Sequence, residues 1–185
     1  MLHMKQKDYK LEIVNILLKE NTHVRGLAKK IGINHMMISR KIKELFKANA
    51  IDYRREGKNK VYFLKENPEA KAFIFLTENY KLIQILRKYP FLRKIIENIQ
   101  NYKKIKLAII FGSYSKNIAK KDSDIDIYVD TTDRKIKRDL EMTDSKVNIK
   151  IGKYNKKNYL IKEIEKNHVI IKGVEKYYEE NKFFN

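Results

Sequence analysis

Hydrophobic side chains in the first third of the chain recur every three or four residues, over 9–20, 23–31 and 35–48. This spacing predicts three helices. We expect Thr22 to cap the second helix, Gly32 to end it, and Asn34 to cap the third. The core face of the third helix is predicted to consist of Ile38, Ile42, Leu45 and Phe46.

Two short segments after the third helix, 51–56 and 60–64, are typical of strands, and Gly57 lies in the turn between them. Residues 68–104 return to helical spacing, which Pro90 interrupts. A stripe of Ile95, Ile96 and Ile99 follows the proline. We expect this connector either to pack against the C-terminal part or to build a dimer contact.

The C-terminal part begins with an apolar run, 106–111, which is typical of a buried strand. An alternating segment, 122–130, predicts a second strand, and 133–143 and 146–151 predict a helix and a third strand. A helix, an edge strand over 169–171 and a last helix complete an α+β chain. We divide it into residues 1–66, a helical connector over 67–103, and residues 104–185.

Composition narrows the class of protein. The 185 residues contain no cysteine, which excludes disulfides, thiolate metal sites and cysteine nucleophiles. Apolar residues make up 43%, enough to bury a core. No apolar stretch approaches the ~20 residues that span a bilayer, and residues 1–10 lack the apolar region of a secretory signal. We therefore expect a cytoplasmic protein with no membrane association.

The chain is strongly basic, with 42 Lys and Arg against 23 Asp and Glu, a net charge of +19. Such a surplus attracts polyanions, of which nucleic acid is the commonest. A generally lysine-rich proteome would account for the charge equally well. The surplus is also spread over both parts of the chain, so it does not locate a binding face.

The stretch from Val24 to Tyr62 resembles the winged helix-turn-helix family, with Ala28 inside the second helix, Gly32 in the turn and a basic hairpin after the third helix. The resemblance implies that residues 1–66 bind double-stranded DNA, as a homodimer. The alternative is a protein-binding winged helix with a solvated basic face. The expected DNA-binding residues are His35, Ser39, Arg40 and Lys43 on the helix and Arg54, Arg55, Lys58 and Lys60 on the hairpin, with Met36 also facing outward.

A Gly-Ser pair follows the apolar strand directly, and an Asp-x-Asp pair, Asp124 and Asp126, lies ten residues further on. This spacing, with an apolar strand beside each pair, resembles the nucleotidyltransferase superfamily of the DNA polymerase β type, in its minimal form. Side chains two apart on a strand share a face, so the two carboxylates can share one site. Nucleotide-binding roles are expected for Gly112, Ser113 and Lys121.

The resemblance implies a two-ion site for Mg²⁺, or Mn²⁺ in its place, with Asp124 and Asp126 as metal ligands. It further implies a nucleoside triphosphate, with ATP the first candidate, as the donor of a nucleoside monophosphate. The acceptor would be a hydroxyl of a protein or of a small molecule.

The third catalytic position of the family is occupied by Asn148, where relatives carry an acid. Three interpretations stay open: a slow enzyme with Asn148 as a neutral ligand, an enzyme in which another acid such as Asp144 substitutes, or a domain that binds nucleotide without transferring it. Asp130 shares a face with Asp126 but would lie ~13 Å away along the strand.

Two functions follow from these interpretations. The first is a DNA-binding nucleotidyltransferase, resembling antitoxins that modify a helical toxin partner and regulate their own operon. The second is a transcriptional regulator whose nucleotidyltransferase domain only binds nucleotide or is inactive.

Overall fold

The computed structural model describes residues 7–181, 183 and 184, so most of the charged segment 1–10 lies outside the described residues. The chain divides into two compact units, one ending at Thr77 and the other running over Glu78–Phe183. Among the described helices, none combines the length and apolar character that a bilayer crossing requires.

The N-terminal unit contains three helices followed by a two-stranded antiparallel hairpin. Its elements are α1 (Tyr9–Leu17), α2 (Val24–Ile31), α3 (His35–Lys47), β1 (Ile51–Glu56) and β2 (Asn59–Leu64). This is the order that the sequence pattern predicts. Gly32 ends α2 with a backbone φ of 77°, a left-handed conformation that glycine adopts without a steric penalty.

Thr22 does not cap α2, contrary to the sequence prediction. His23 occupies the N-cap position and makes no side-chain capping bond. The backbone of Thr22 instead pairs with Tyr62 of β2, through N–H···O bonds of 3.3 and 2.9 Å. This isolated bridge joins the loop before α2 to the hairpin.

Helix α3 begins as predicted, because the side chain of Asn34 accepts a hydrogen bond of 2.8 Å from the backbone of Met37. Its core face contains Ile38, Ile42 and Leu45, which are buried. The prediction for Phe46 was wrong, since this side chain is 48% exposed. Its ring lies beside that of Tyr53 on the hairpin, 6.1 Å between centroids, rather than in the core.

Two helices follow the hairpin, α4 (Pro68–Lys88) and α5 (Leu92–Asn101), and they are separated at Pro90 as predicted. The border between the two units falls inside α4. In α5 the apolar stripe of Ile95, Ile96 and Ile99 is buried.

The C-terminal unit is built on a four-stranded mixed sheet. Its first elements are β3 (Ala108–Ile110), α6 (Gly112–Ser115), β4 (Ile125–Asp130), α7 (Arg134–Glu141) and β5 (Val147–Gly152). The last elements are α8 (Tyr159–Lys166), β6 (Val169–Lys172) and α9 (Val174–Glu180).

The strands lie in the order β5-β4-β3-β6, with β4 parallel to β5 and β3 antiparallel to both β4 and β6. Strand β6 forms one edge, as predicted. The core includes the stripe of α5, apolar residues of α7 and the apolar face of the sheet. Each fully buried isoleucine stabilises the unit by about 1.5–3 kcal/mol relative to an exposed one. The mixed α+β fold predicted from the sequence is confirmed.

A buried polar cluster lies within the C-terminal unit, where Glu78 of α4 contacts residues near the end of that unit. Glu78 is 1% exposed, and its Oε1 accepts a 2.8 Å hydrogen bond from the hydroxyl of Tyr178. The ammonium of Lys81 lies 2.6 Å from Oε2. Burial alone would raise the pKa of Glu78, but the positive charge of Lys81 and the contact with His168 outweigh it and lower the pKa to about 2.

His168 lies beside this carboxylate, with Nε2 3.7 Å from Oε1 of Glu78. Its Nδ1 lies 3.1 Å from the carbonyl oxygen of Ile164, which can only accept a hydrogen bond. Burial and the charge of Lys81 lower the pKa of His168 below its usual value. Lys81, whose ammonium lies closest to the carboxylate, is therefore the principal cation that compensates the charge of Glu78.

Candidate functional site

The glycine-serine corner is placed by strand β3 against strand β4. Directly after β3, the backbone N–H of Phe111 donates to the carbonyl of Asp126 at 3.0 Å. Gly112 follows with a φ of 70°, and a Cβ atom at this position would lie 2.6 Å from Oδ2 of Asp126. Only a glycine therefore permits the backbone to approach this carboxylate so closely.

Helix α6 is a single turn that begins at Gly112 and ends at Ser115. The hydroxyl oxygen of Ser115 lies 3.0 Å from the carbonyl oxygens of Gly112 and of Asn167, and its single proton can be donated to either of them. Ser113 is half-buried in the same turn, and its carbonyl accepts from the N–H of Ile118 at 3.1 Å.

The two aspartates lie at the start of β4. Asp124 is exposed just before the strand, and Asp126 is half-buried within it. The pKa of Asp126 is raised, mainly by burial and further by the negative charge of Asp124, against a hydrogen bond from Asn148 and the charge of Lys150. A carboxylate in these surroundings is stabilised by a nearby cation.

Asn148 lies directly beside Asp126, because the parallel register of β4 and β5 pairs these two residues. Its Nδ2 donates a 2.8 Å hydrogen bond to Oδ1 of Asp126. The structure thus brings Gly112, Asp126 and Asn148 together from three separate segments of the chain.

Lys150 is a residue that the sequence analysis did not single out. It lies two residues beyond Asn148 on β5, so both side chains project from the same face of the sheet. The side chain is exposed, and its charge reaches Asp126. Strand parity relative to Asn148 was the signal that could have identified it.

The other acidic residues considered from the sequence have separate partners. Asp130 forms an ion pair with Lys176, and its Oδ1 accepts from the backbone of Tyr154 at 3.1 Å. The side chain of Asp144 accepts from the backbone of Lys146 at 2.9 Å, within its own loop.

The loop before Asp124 is tied to the corner by Tyr114, whose hydroxyl donates to the carbonyl of Ser123 at 3.4 Å. Lys121 is exposed in this loop, and its carbonyl accepts from Nζ of Lys146 at 2.7 Å. Its expected contact with phosphate stays a prediction.

The side chains at this corner could supply only some of the ligands of a divalent cation. Within residues 7–181, 183 and 184, no three carboxylate or imidazole groups lie close enough to hold one ion. Asp124 and Asp126 supply two carboxylates, and the remaining ligands of a hard cation would be phosphate and water oxygens. Such a site fits an ion that arrives together with a nucleotide.

In the N-terminal unit, helix α3 presents His35, Arg40 and Lys43 to solvent, with Ser39 half-buried between them. Met36, at the start of the same helix, is 71% exposed. These side chains form the outer face of the helix that follows the turn at Gly32.

The cations of the hairpin lie on two faces. Arg55 and Lys60 are directly opposite each other, and Lys60 lies 4.0 Å from the centroid of the Tyr53 ring. Arg54 projects from the other face and pairs with Glu56 at 2.8 Å, while Lys58 lies exposed in the turn. The structure therefore does not bring all four predicted cations onto one surface.

Comparisons with solved structures find transcriptional regulators. The transcriptional repressor BigR from Xylella fastidiosa is 25% identical over 38% of this chain and 70% of its own, with a TM-score of 0.35. The homodimeric winged helix-turn-helix DNA-binding domain Mb0332 from Mycobacterium bovis is 23% identical over 38% and 65%, also with a TM-score of 0.35. The adhesin competence repressor AdcR from Streptococcus pyogenes is 18% identical over 47% and 70%, again with a TM-score of 0.35.

No curated protein matches the chain significantly. TM-scores of 0.35 are too low to support a fold assignment. The winged-helix assignment therefore rests on the structure of this chain, with its three helices, the hairpin and the Thr22–Tyr62 bridge. The family model for polymerase beta nucleotidyltransferases matches residues 93–176, which include the corner, both aspartates and Asn148. The chain thus joins a winged helix-turn-helix unit to a nucleotidyltransferase domain of the polymerase beta family.

Proposed function

We propose that the C-terminal domain binds a nucleoside triphosphate, with ATP the first candidate, together with Mg²⁺ or Mn²⁺. It would transfer the nucleoside monophosphate to a hydroxyl of a protein or small molecule. The observation that carries the proposal is the contact of the Gly112 backbone with the carboxylate of Asp126, which places a side-chain-free corner beside the two aspartates.

Each residue then has a role set by its chemistry. Asp124 and Asp126 would hold the cation, which supplies charge neutralisation for the phosphates. The backbone of Gly112 lies against the Asp126 carboxylate at the corner where the phosphates would bind, and Ser113 offers them a hydroxyl and an N–H group. The acceptor oxygen forms a bond to the α-phosphorus while pyrophosphate leaves. The proton of the acceptor passes to water, because the amide of Asn148 cannot take it.

The N-terminal unit is proposed to bind double-stranded DNA, as a homodimer. The exposed cations of α3 follow the turn at Gly32, in the position from which a recognition helix enters the major groove. Arg55, Lys58 and Lys60 on the hairpin would contact phosphates. A chain that combines both units fits a self-regulating antitoxin with a helical toxin-like protein as the acceptor.

A second candidate function is a transcriptional regulator whose C-terminal domain binds nucleotide without transferring it. The hydrogen bond from Asn148 to Asp126 favours it, since an amide replaces the third carboxylate and neither carries charge nor accepts a proton at neutral pH.

Incubation with α-³²P-labelled ATP and Mg²⁺ or Mn²⁺ separates the two candidates. Release of pyrophosphate and transfer of label to an added acceptor or to the protein support the enzyme. Retention of nucleotide with no pyrophosphate released, in a preparation that still binds DNA, supports the regulator. No retention of nucleotide contradicts both.

A further inference from the structure

The two oxygens of Asp126 have different surroundings. Oδ1 accepts the hydrogen bond from Asn148, and Oδ2 faces Gly112. Because a carboxylate only accepts hydrogen bonds, the amide of Asn148 must direct its NH₂ group, not its oxygen, toward Oδ1. The orientation of the Asn148 amide therefore follows from the chemistry of the two groups.

A carboxylate that bridges two ions about 3.5–4 Å apart uses one oxygen for each of them. A cation approaching Oδ1 of Asp126 would meet the partial positive charge of the Asn148 N–H groups. Oδ2 packs against the backbone of Gly112 but accepts no hydrogen bond from the described residues, and Asp124 is exposed two residues away. The two carboxylates are consequently suited to one ion, which would be shared by Oδ2 of Asp126 and by Asp124.

On the side of Asp126 that faces Asn148, a side chain of the protein supplies positive charge. Lys150 is exposed and projects from the same face of β5 as Asn148, one same-face position along the strand from the Asn148–Asp126 pair. An ammonium group at this place can contact phosphate oxygens as a point charge.

We propose that the site takes a single divalent cation, held by Asp124 and Asp126, and that Lys150 supplies the second positive charge to the phosphates of the nucleotide. This inference rests on the proposed function, because it assumes that the site binds a nucleotide. It assigns Asn148 as a residue that positions Asp126 and not as a metal ligand.

The first test counts Mn²⁺ ions by electron paramagnetic resonance, using the full chain saturated with α,β-methylene-ATP. The wild-type protein is expected to bind one Mn²⁺ per chain, and Asn148→Asp two, since the new carboxylate removes the N–H groups and adds a ligand. Asn155→Asp, an exposed asparagine outside the site, is the control for added negative charge and should stay at one.

The second test compares the affinity of Lys150→Met and Lys153→Met for the same analogue by calorimetry. Loss of Lys150 is expected to weaken binding about tenfold, the effect of one charge-assisted contact. Lys153 is exposed just after β5, and its variant should bind as the wild type does.

Two Mn²⁺ per wild-type chain would overturn this inference and leave the proposed function intact. One Mn²⁺ in folded Asn148→Asp, or equal affinities of the two lysine variants, would also overturn it. If the wild-type chain takes up no analogue, the proposed function fails as well. Circular dichroism checks folding, and if Asn148→Asp does not fold, the wild-type count decides.

Discussion

Gly112 and Asp126 lie so close together that a Cβ atom on the glycine would be 2.6 Å from a carboxylate oxygen. The glycine comes from the turn after β3 and the aspartate from the start of β4. Their contact is maintained by the N–H of Phe111, which donates to the carbonyl of Asp126. Nucleotide binding at this corner should therefore depend on the absence of a side chain at residue 112.

Gly112→Ala is expected to abolish nucleotide binding and to destabilise the C-terminal unit. The positive φ costs about 1–2 kcal/mol for an L-residue, and the methyl group displaces the Asp126 carboxylate. Calorimetry with α,β-methylene-ATP and denaturant unfolding measure the two effects. Gly57→Ala is the control, because Gly57 has a φ of 58° with nothing within 4 Å of its Cβ position. Wild-type affinity in Gly112→Ala would contradict the assignment of the corner.

Asp124→Asn and Asp126→Asn should each weaken Mn²⁺-dependent binding of the same analogue by at least about tenfold, since one of two charged ligands is lost. Asp122→Asn removes the same charge from an exposed position nearby and should leave binding unchanged. If all three variants bind alike, the aspartates do not hold the ion.

The double variant Arg40→Glu, Lys43→Glu should lose at least about tenfold in affinity for double-stranded DNA, because reversed charges face the phosphates. Fluorescence anisotropy over a salt series measures this loss. Lys103→Glu, Lys104→Glu changes the net charge equally at two exposed residues of the other unit and serves as control. Equal affinities of both double variants would instead favour a protein-binding winged helix.

Glu78→Gln should lower the free energy of unfolding by up to about 3 kcal/mol at pH 7, because the folded-state pKa of about 2 lies well below the ordinary value of 4.5. A carboxyl group whose pKa is lowered by folding stabilises the folded state at pH values above the pKa that the group has in the unfolded state. This contribution disappears as the pH falls from about 5 toward 2. Urea unfolding across that range should show the loss in wild type and a flatter profile in the variant.

The control for this prediction is Glu163→Gln, which removes a partner of Lys166 at the same i,i+3 spacing on the surface of α8. An exposed ion pair contributes about 0–1 kcal/mol, so little change is expected. If both variants lost the same free energy of unfolding, the burial of Glu78 would not explain the contribution of its charge to stability.

The sequence predicted the architecture well where periodicity and turn residues agree. The order of helices and hairpin, the break at Pro90 and the edge strand β6 all follow from local patterns. In the observed register Asn148 is the partner of Asp126, and its assignment to the third acidic position of the family stays a prediction.

Features decided by tertiary contacts could not be predicted in the same way. Thr22 has the side chain of a capping residue, but its backbone pairs with Tyr62, which is 40 positions distant in the chain. Phe46 fits the apolar stripe of α3 but lies beside Tyr53. Glu78 is an ordinary glutamate in a helix until Tyr178, 100 residues later, covers it.

Strand β5 is an outer strand of the sheet, and Asn148 on it is only half-buried. An exchange between amide and acid at this position alters no apolar packing and leaves the backbone pairing with β4 in place. Under the proposed function, turnover would therefore be adjustable by one substitution at the edge of the sheet without loss of the fold. Nucleotide binding and chemical transfer would then be separable properties of the same scaffold, and a non-transferring form need not be a decayed one.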